Sequence, residues 1–92
     1  MLLSEPEIVA ALSSLPGWTI AGKTIQRDYK FPDFVAAMAF VNRIAEAAEK
    51  ADHHPDIAIH YNQVTLSLWS HDSGGVTKRD LKMAAEINQL QP

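Results

Sequence analysis

All four histidines of this chain, His53, His54, His60 and His71, fall between Glu49 and Asp80, in the stretch EKADHHPDIAIHYNQVTLSLWSHDSGGVTKRD. Histidine is the side chain whose ordinary pKa lies near neutrality, so one ring can give a proton while another takes one. Several rings at one rim suit a reaction that moves protons at two positions of a substrate, and elimination of water is such a reaction. Metal binding is the second chemistry open to the cluster: the imidazoles, with Asp52, Asp56 or Asp72 completing the shell, would suit zinc or iron. Against it, no two of these histidines have the i, i+4 spacing of the common helical zinc sites, and adjacent rings diverge. Nucleophilic catalysis has little support, since the chain has no cysteine and no glycine-flanked serine on a strand-to-helix turn.

The elements that must position these rings are legible in outline. Pro55 disfavours the α conformation at His54, so the helix before the pair ends there. That helix opens at Pro32-Asp33 and runs from Asp33 to about Ala51, with Phe34, Met38, Val41, Ala45 and Ala48 in one stripe widened by Phe40, Ile44 and Ala47. Seven alanines at 36, 37, 39, 45, 47, 48 and 51 give it small residues on two faces, read as one for its own sheet and one for a second copy of the chain, with alanine's plain preference for helix as the alternative. After Pro55, Ile57, Ile59 and Tyr61 alternate with polar or small residues, Asn62-Gln63 supplies a turn, and Val64, Leu66 and Leu68 alternate in return. This hairpin brings His71, beside the Asp72-Ser73-Gly74-Gly75 break, back near His53 and His54.

Upstream, Ser4 and Glu7 have capping-box spacing with Pro6 in the first turn, which predicts a helix with Ile8, Val9, Leu12 and Leu15 on one side, ended by Pro16-Gly17. Trp18-Thr19-Ile20 and Thr24 to Phe31 read as two strands around Ala21-Gly22-Lys23, with Ile25, Tyr29 and Phe31 on one face and Arg27 interrupting it. Thr77 with Asp80 caps a last helix carrying Leu81, Ala84, Ala85, Ile87 and Leu90. Hairpins separated by helices exclude an all-parallel sheet. The expected fold is α+β, of order αββαββα, a four-stranded antiparallel sheet with three helices packed on one face.

Ninety-two residues support one domain, 1–92, with a modest core that association would supplement. Eight basic against eleven acidic residues, with no basic cluster along the sequence, exclude the electrostatic footprint of a nucleic-acid binder. The start MLLSEPEIV lacks the features of a signal peptide, and the longest apolar run, Phe34 to Val41, is too short to span a bilayer. The absence of cysteine agrees with a reducing compartment, and the expected location is cytoplasmic with no membrane partner.

Glu49, three residues, His53-His54-Pro55, five residues, Tyr61, nine residues, His71, eight residues and Asp80 make seven positions over thirty-two residues. This pattern resembles the signature of the pterin-4a-carbinolamine dehydratases, and the likeness extends to Gly17-Trp18, to Phe31 through Phe34 and to Glu49-Lys50. The resemblance implies dehydration of 4a-hydroxytetrahydropterin to quinonoid dihydropterin, a hydro-lyase step in tetrahydropterin recycling that serves an aromatic amino acid hydroxylase. It implies no metal and no organic cofactor, and an αββαββα chain assembled as a homodimer or homotetramer.

Residue by residue, the resemblance makes His53 and His71 the acid and base and His54 a catalytic or substrate-binding neighbour. It leaves open which ring does which. Asp80 belongs to the family's site, where it would orient an imidazole, yet its spacing from Thr77 equally makes it a capping acid. Glu49, on the last helical turn, and Asp52 are candidates for binding or orienting the substrate, with a solvated helix end as the alternative. Ser70 is a further substrate-binding candidate, and the backbone from Trp69 to His71 is expected to meet the flat pterin edge. Trp69 either stacks on the ligand or covers the sheet, Trp18 sits in the core or an interface rather than the pocket, and His60 is solvated or at an interface. The alternative function is a protein-binding module or coactivator that docks a partner through the long helix, since animal members of the family also stabilise dimers of a homeodomain transcription factor.

Overall fold

The structure, a computed structural model, describes residues 2–90; Met1, Gln91 and Pro92, at the ends of the 1–92 span expected to form one domain, lie outside the described residues. The elements are α1 Glu5–Leu12, β1 Thr19–Ala21, β2 Thr24–Lys30, α2 Phe34–Ala51, β3 Asp56–His60, β4 Gln63–Leu68 and α3 Lys78–Gln89. The strands form one antiparallel sheet in the order β1-β2-β4-β3. The α+β class and the order αββαββα are those expected. No helix among the described residues is long and apolar enough to cross a membrane.

The helix starts are set by side-chain caps. Ser4 and Glu7 close a capping box on α1, with Ser4 N–H donating to Glu7 Oε1 at 2.8 Å. Asp33 Oδ1 accepts from Ala36 N–H at 2.8 Å and starts α2. Thr77 and Asp80 form the third cap, on α3. Each cap satisfies backbone donors that a helix start leaves without intrahelical partners.

Four details differ from the sequence expectation. Helix α1 closes at Leu12 rather than at Pro16-Gly17, with Ser13 as its cap; Leu15 still packs into the core beside Ile8, while Val9 is exposed. The buried face of α2 is Ala37, Phe40, Ile44 and Ala48, so the stripe is rotated: Phe34 and Ala45 face outward, and the bulky Phe40 sits against Tyr29 and Phe31 at 4.6 and 5.3 Å between centroids. On α3, Met83 fills the core and Ala85 is exposed. The β3–β4 turn is Tyr61-Asn62, one residue earlier than expected. Phe31 and Asn62 explain that shift. Phe31 N–H donates to the Asn62 carbonyl and Asn62 Nδ2 donates to the Phe31 carbonyl, both at 2.8 Å, which pins Asn62 to the end of β2. Tyr61 then absorbs the turn at φ 52°, an uncommon backbone for an aromatic residue.

Arg27 does not break the register of β2. It lies opposite Leu66 in the β2–β4 ladder, on the face of Ile25 and Tyr29, and escapes the core by reaching its margin. Its Nη1 donates to the Pro16 carbonyl at 3.0 Å and to Asn88 Oδ1 at 2.6 Å, and its guanidinium lies 4.4 Å above the Tyr29 ring. Gly17, at φ 89°, makes room: a Cβ there would stand 2.5 Å from Arg27 Nε. Trp18 is buried, and its indole N–H donates to the same Asn88 oxygen at 2.9 Å, so it belongs to the core and not to the cleft described below.

Candidate active site

Helix α2 ends because Asp52 adopts the left-handed conformation, φ 51° and ψ 41°, and its N–H caps the carbonyls of Ala48 and Glu49. His53 N–H then donates to the Ala48 carbonyl at 3.2 Å, and Pro55 carries the chain into β3. The break throws the adjacent imidazoles apart. His53 turns inward against α3, and His54 turns outward.

His53 Nε2 lies 2.5 Å from Asp80 Oδ1, with the carboxylate fully buried and the ring 12% exposed. The other carboxylate oxygen, Oδ2, accepts from Ser70 Oγ at 2.9 Å and from Thr77 N–H at 2.8 Å. Ser70 Oγ also pairs with Thr77 Oγ1 at 2.7 Å; since the Ser70 proton goes to Asp80, Thr77 is the donor in that contact. Asp80 is therefore both the capping acid of α3 and the partner of His53. With two donors on Oδ2, a carboxylate presents Oδ1 as an acceptor to the imidazole. That orientation puts the ring proton on Nε2 and leaves Nδ1 as the nitrogen free to exchange a proton.

His54 Nε2 meets Glu49 Oε2 at 2.6 Å, one turn back on α2, and both side chains are exposed. Asp52 is exposed and contributes its backbone cap. His71 stands on the tight loop that follows β4, where Ser70 N–H donates to Gly75 O at 2.8 Å and the Ser70 carbonyl accepts from Ser73, Gly74 and Gly75 N–H. Both backbone groups of Ser70 are thus hydrogen-bonded within the loop. The Trp69 and His71 rings lie 4.0 Å apart between centroids, and Trp69 Nε1 donates to Asp56 Oδ2 at 3.2 Å. Trp69 is consequently a wall of the cleft and not a cover over the core. His60 is exposed at the opposite end of β3, away from the other three rings.

His53, His54 and His71 line one cleft of about 460 Å³ together with Trp69. Asp52, Asp56, Asp72 and Arg79 complete its rim. Arg79 went unnoticed in the sequence, although its place beside Asp80 in the first turn of a capped helix was the available signal. Its Nη2 lies 2.5 Å from Asp72 Oδ1, and this hydrogen bond holds the Asp72 carboxyl below its ordinary 3.8, outweighing the opposing effect of desolvation. Among the described residues no three His, Cys, Asp or Glu side chains converge as a metal site. The arrangement offers an oriented imidazole, two more accessible ones and a flat aromatic wall, which suits proton transfer on a planar ring.

The family described as Pterin 4 alpha carbinolamine dehydratase matches this chain over residues 1–90. A protein from Koribacter versatilis, provisionally named pterin-4-alpha-carbinolamine dehydratase, is 58% identical over 90 residues, covering 98% of this chain and 96% of the relative. One of the same provisional name from Cyanothece is 52% identical over 89 residues, covering 97% and 92%. Among solved structures, a transcriptional coactivator/pterin dehydratase from Brucella melitensis superimposes with a TM-score of 0.93 at 39% identity, covering all of both chains. The chain belongs to the pterin-4a-carbinolamine dehydratase family, a family of hydro-lyases.

Proposed function

We propose that this protein dehydrates 4a-hydroxytetrahydropterin to quinonoid dihydropterin by general acid–base catalysis between His53 and His71, as one domain acting in tetrahydropterin recycling. The observation that carries this reading is the buried Asp80 fixing His53 at the mouth of a cleft that His54 and His71 also line. One imidazolium protonates the 4a-hydroxyl, the C4a–O bond breaks and water leaves. A neutral imidazole takes the N5 proton, and the N5–H pair becomes the C4a=N5 double bond. His53 works through Nδ1, its Nε2 being committed to Asp80. Each positioned transfer contributes roughly 10²–10⁴-fold to the rate.

The remaining site residues divide between binding and positioning. Ser70 lines the cleft and donates to Asp80, so it serves as an orienting residue at the substrate's edge. Glu49 steadies His54 as a substrate-binding ring, and Asp52 holds the turn that separates the two histidines. Carboxylates on the rim suit the N–H donors of an aminopyrimidinone edge. The reaction as drawn consumes no redox cofactor and needs no metal. The pathway partner is an enzyme that generates the carbinolamine, such as an aromatic amino acid hydroxylase, and we place both in the cytoplasm.

The test is the rate of water loss from chemically generated 4a-hydroxytetrahydropterin, in the presence of a metal chelator, for the wild type, His53→Ala and His71→Ala. Acceleration that survives chelation and falls in both variants supports the reading. A wild-type protein that gives no acceleration would sink it.

A further inference from the structure

His53 also lines a second cleft, of about 450 Å³, formed by the last turn of α2 and the first turns of α3. Its cationic lining is Lys50, Arg79 and Lys82, its one carboxylate is Glu86, and Met83 and His53 form apolar and aromatic wall. Three of the eight basic residues of a net-acidic chain therefore gather at one concavity. Arg79 is shared with Asp72, but among the described residues Lys50 and Lys82 take part in no ion pair. The helix end that would repel an anion is already muted, since the carbonyls of Ala48 and Glu49 accept from Asp52 and His53 N–H.

The two clefts share His53 and Arg79 and carry opposite charge. The histidine cleft has three carboxylates, Asp52, Asp56 and Asp72, against one arginine, whereas the second has three cations against Glu86. A ligand lying across both would put hydrogen-bond donors on the acidic side and negative charge on the basic side. We propose that the Lys50–Arg79–Lys82 cleft binds an anionic arm, phosphate or carboxylate, of the pterin whose ring occupies the histidine cleft. The inference rests on the dehydratase reading and narrows its substrate class: the preferred substrate is a pterin with a charged substituent and not one with a neutral side chain. Cations at a concave, partly desolvated surface focus their field on such a group, and the effect weakens with salt.

The probes are 6-hydroxymethylpterin, which is neutral in its arm, its phosphate monoester, and pterin-6-carboxylate, each titrated by its own fluorescence against the whole chain. Lys50→Gln combined with Lys82→Gln is the variant, because both side chains are at the surface and neither is placed in the catalytic machinery. The expected result is that an anionic probe binds about fivefold to tenfold more tightly than the neutral one at low salt. That gap closes in the double variant and at high salt, while the neutral probe is unaffected by either. Comparing the phosphate with the carboxylate tells which anion the cleft prefers. Equal binding of charged and neutral probes overturns the proposal and leaves the dehydratase reading standing. A gap that persists in the double variant also overturns it, since the charge is then read elsewhere. If no pterin binds at all, both readings fall together.

Discussion

Asp80 accepts hydrogen bonds on both of its oxygens from three different elements: the turn after α2, the loop after β4 and the start of α3. Replacing it by asparagine tests whether it positions a base or merely caps a helix. The amide oxygen can still accept from Ser70 and Thr77, but the amide nitrogen then faces His53 Nε2 as a donor. The ring must accept there, so its own proton moves to Nδ1, the wrong nitrogen for taking one from substrate. Asp80→Asn is therefore expected to lower the dehydration rate by about 10²–10⁴-fold, while helix α3 and its cap persist. Nitrogen NMR of the His53 ring reads the tautomer, and circular dichroism reads the helix; an active variant with the switched tautomer would show that the reaction does not need His53 Nδ1 as a proton acceptor. A second prediction concerns the rim. Asp72 is held below 3.8 by the Arg79 hydrogen bond, so the pair's contribution is present above that pH and is lost as pH falls through the lowered value. Arg79→Gln should return the Asp72 carboxyl toward 3.8, measured by titration of its carboxyl carbon; no movement would mean that Arg79 is not what lowers it.

Asn88 does for the elements what Asp80 does for the residues, joining α3 to the segment before β1 and to β2. Its Oδ1 accepts from the buried Trp18 indole and from Arg27, so Asn88→Ala takes the acceptor from the indole N–H, while Arg27 keeps the Pro16 carbonyl. A loss of about 1–3 kcal/mol in urea unfolding is expected, with the histidine cleft intact; a neutral effect would mean that water replaces the amide. Trp18 was legible in the sequence as a core residue, but this partner was not, because Asn88 lies seventy positions away and no local pattern marks it. The same limit explains the other misses. Helix starts were readable at Ser4, Asp33 and Thr77 because a cap is a local device, whereas the rotation of the α2 stripe depends on where the Tyr29, Phe31 and Phe40 rings fit together. The turn at Tyr61-Asn62 was displaced by one residue because Phe31, thirty-one positions upstream, holds Asn62. The convergence of His53, His54 and His71 was foreseeable from the hairpin alone, but the second role of Asp80 was only one of two readings until the carboxylate was seen to reach both His53 and Thr77.

At the scale of the whole molecule, a small core and an unsatisfied surface point the same way. Val35 is 76% exposed and Phe34 47%, side by side at the start of α2, the helix whose alanines suggested a face for a second copy. Ala39 and Ala45 lie exposed further along the helix and would let a neighbour approach closely. A chain of this length buries only about two thirds of its unfolded surface, so covering that patch adds stability the monomer lacks. We expect sedimentation to give a mass that is a multiple of the single chain, and Val35→Glu, which puts a charge into the patch, to shift it to the monomer. His53, His54 and His71 line one cleft with Asp80 buried behind His53, all within one chain, so the dissociated variant should keep its dehydration rate per site while losing thermal stability. A wild type that is monomeric with the patch open would instead favour α2 as a docking face for a different protein, and an assembly that Val35→Glu leaves unchanged would place the contact elsewhere, the exposed Ile57 on edge strand β3 being the next surface to charge.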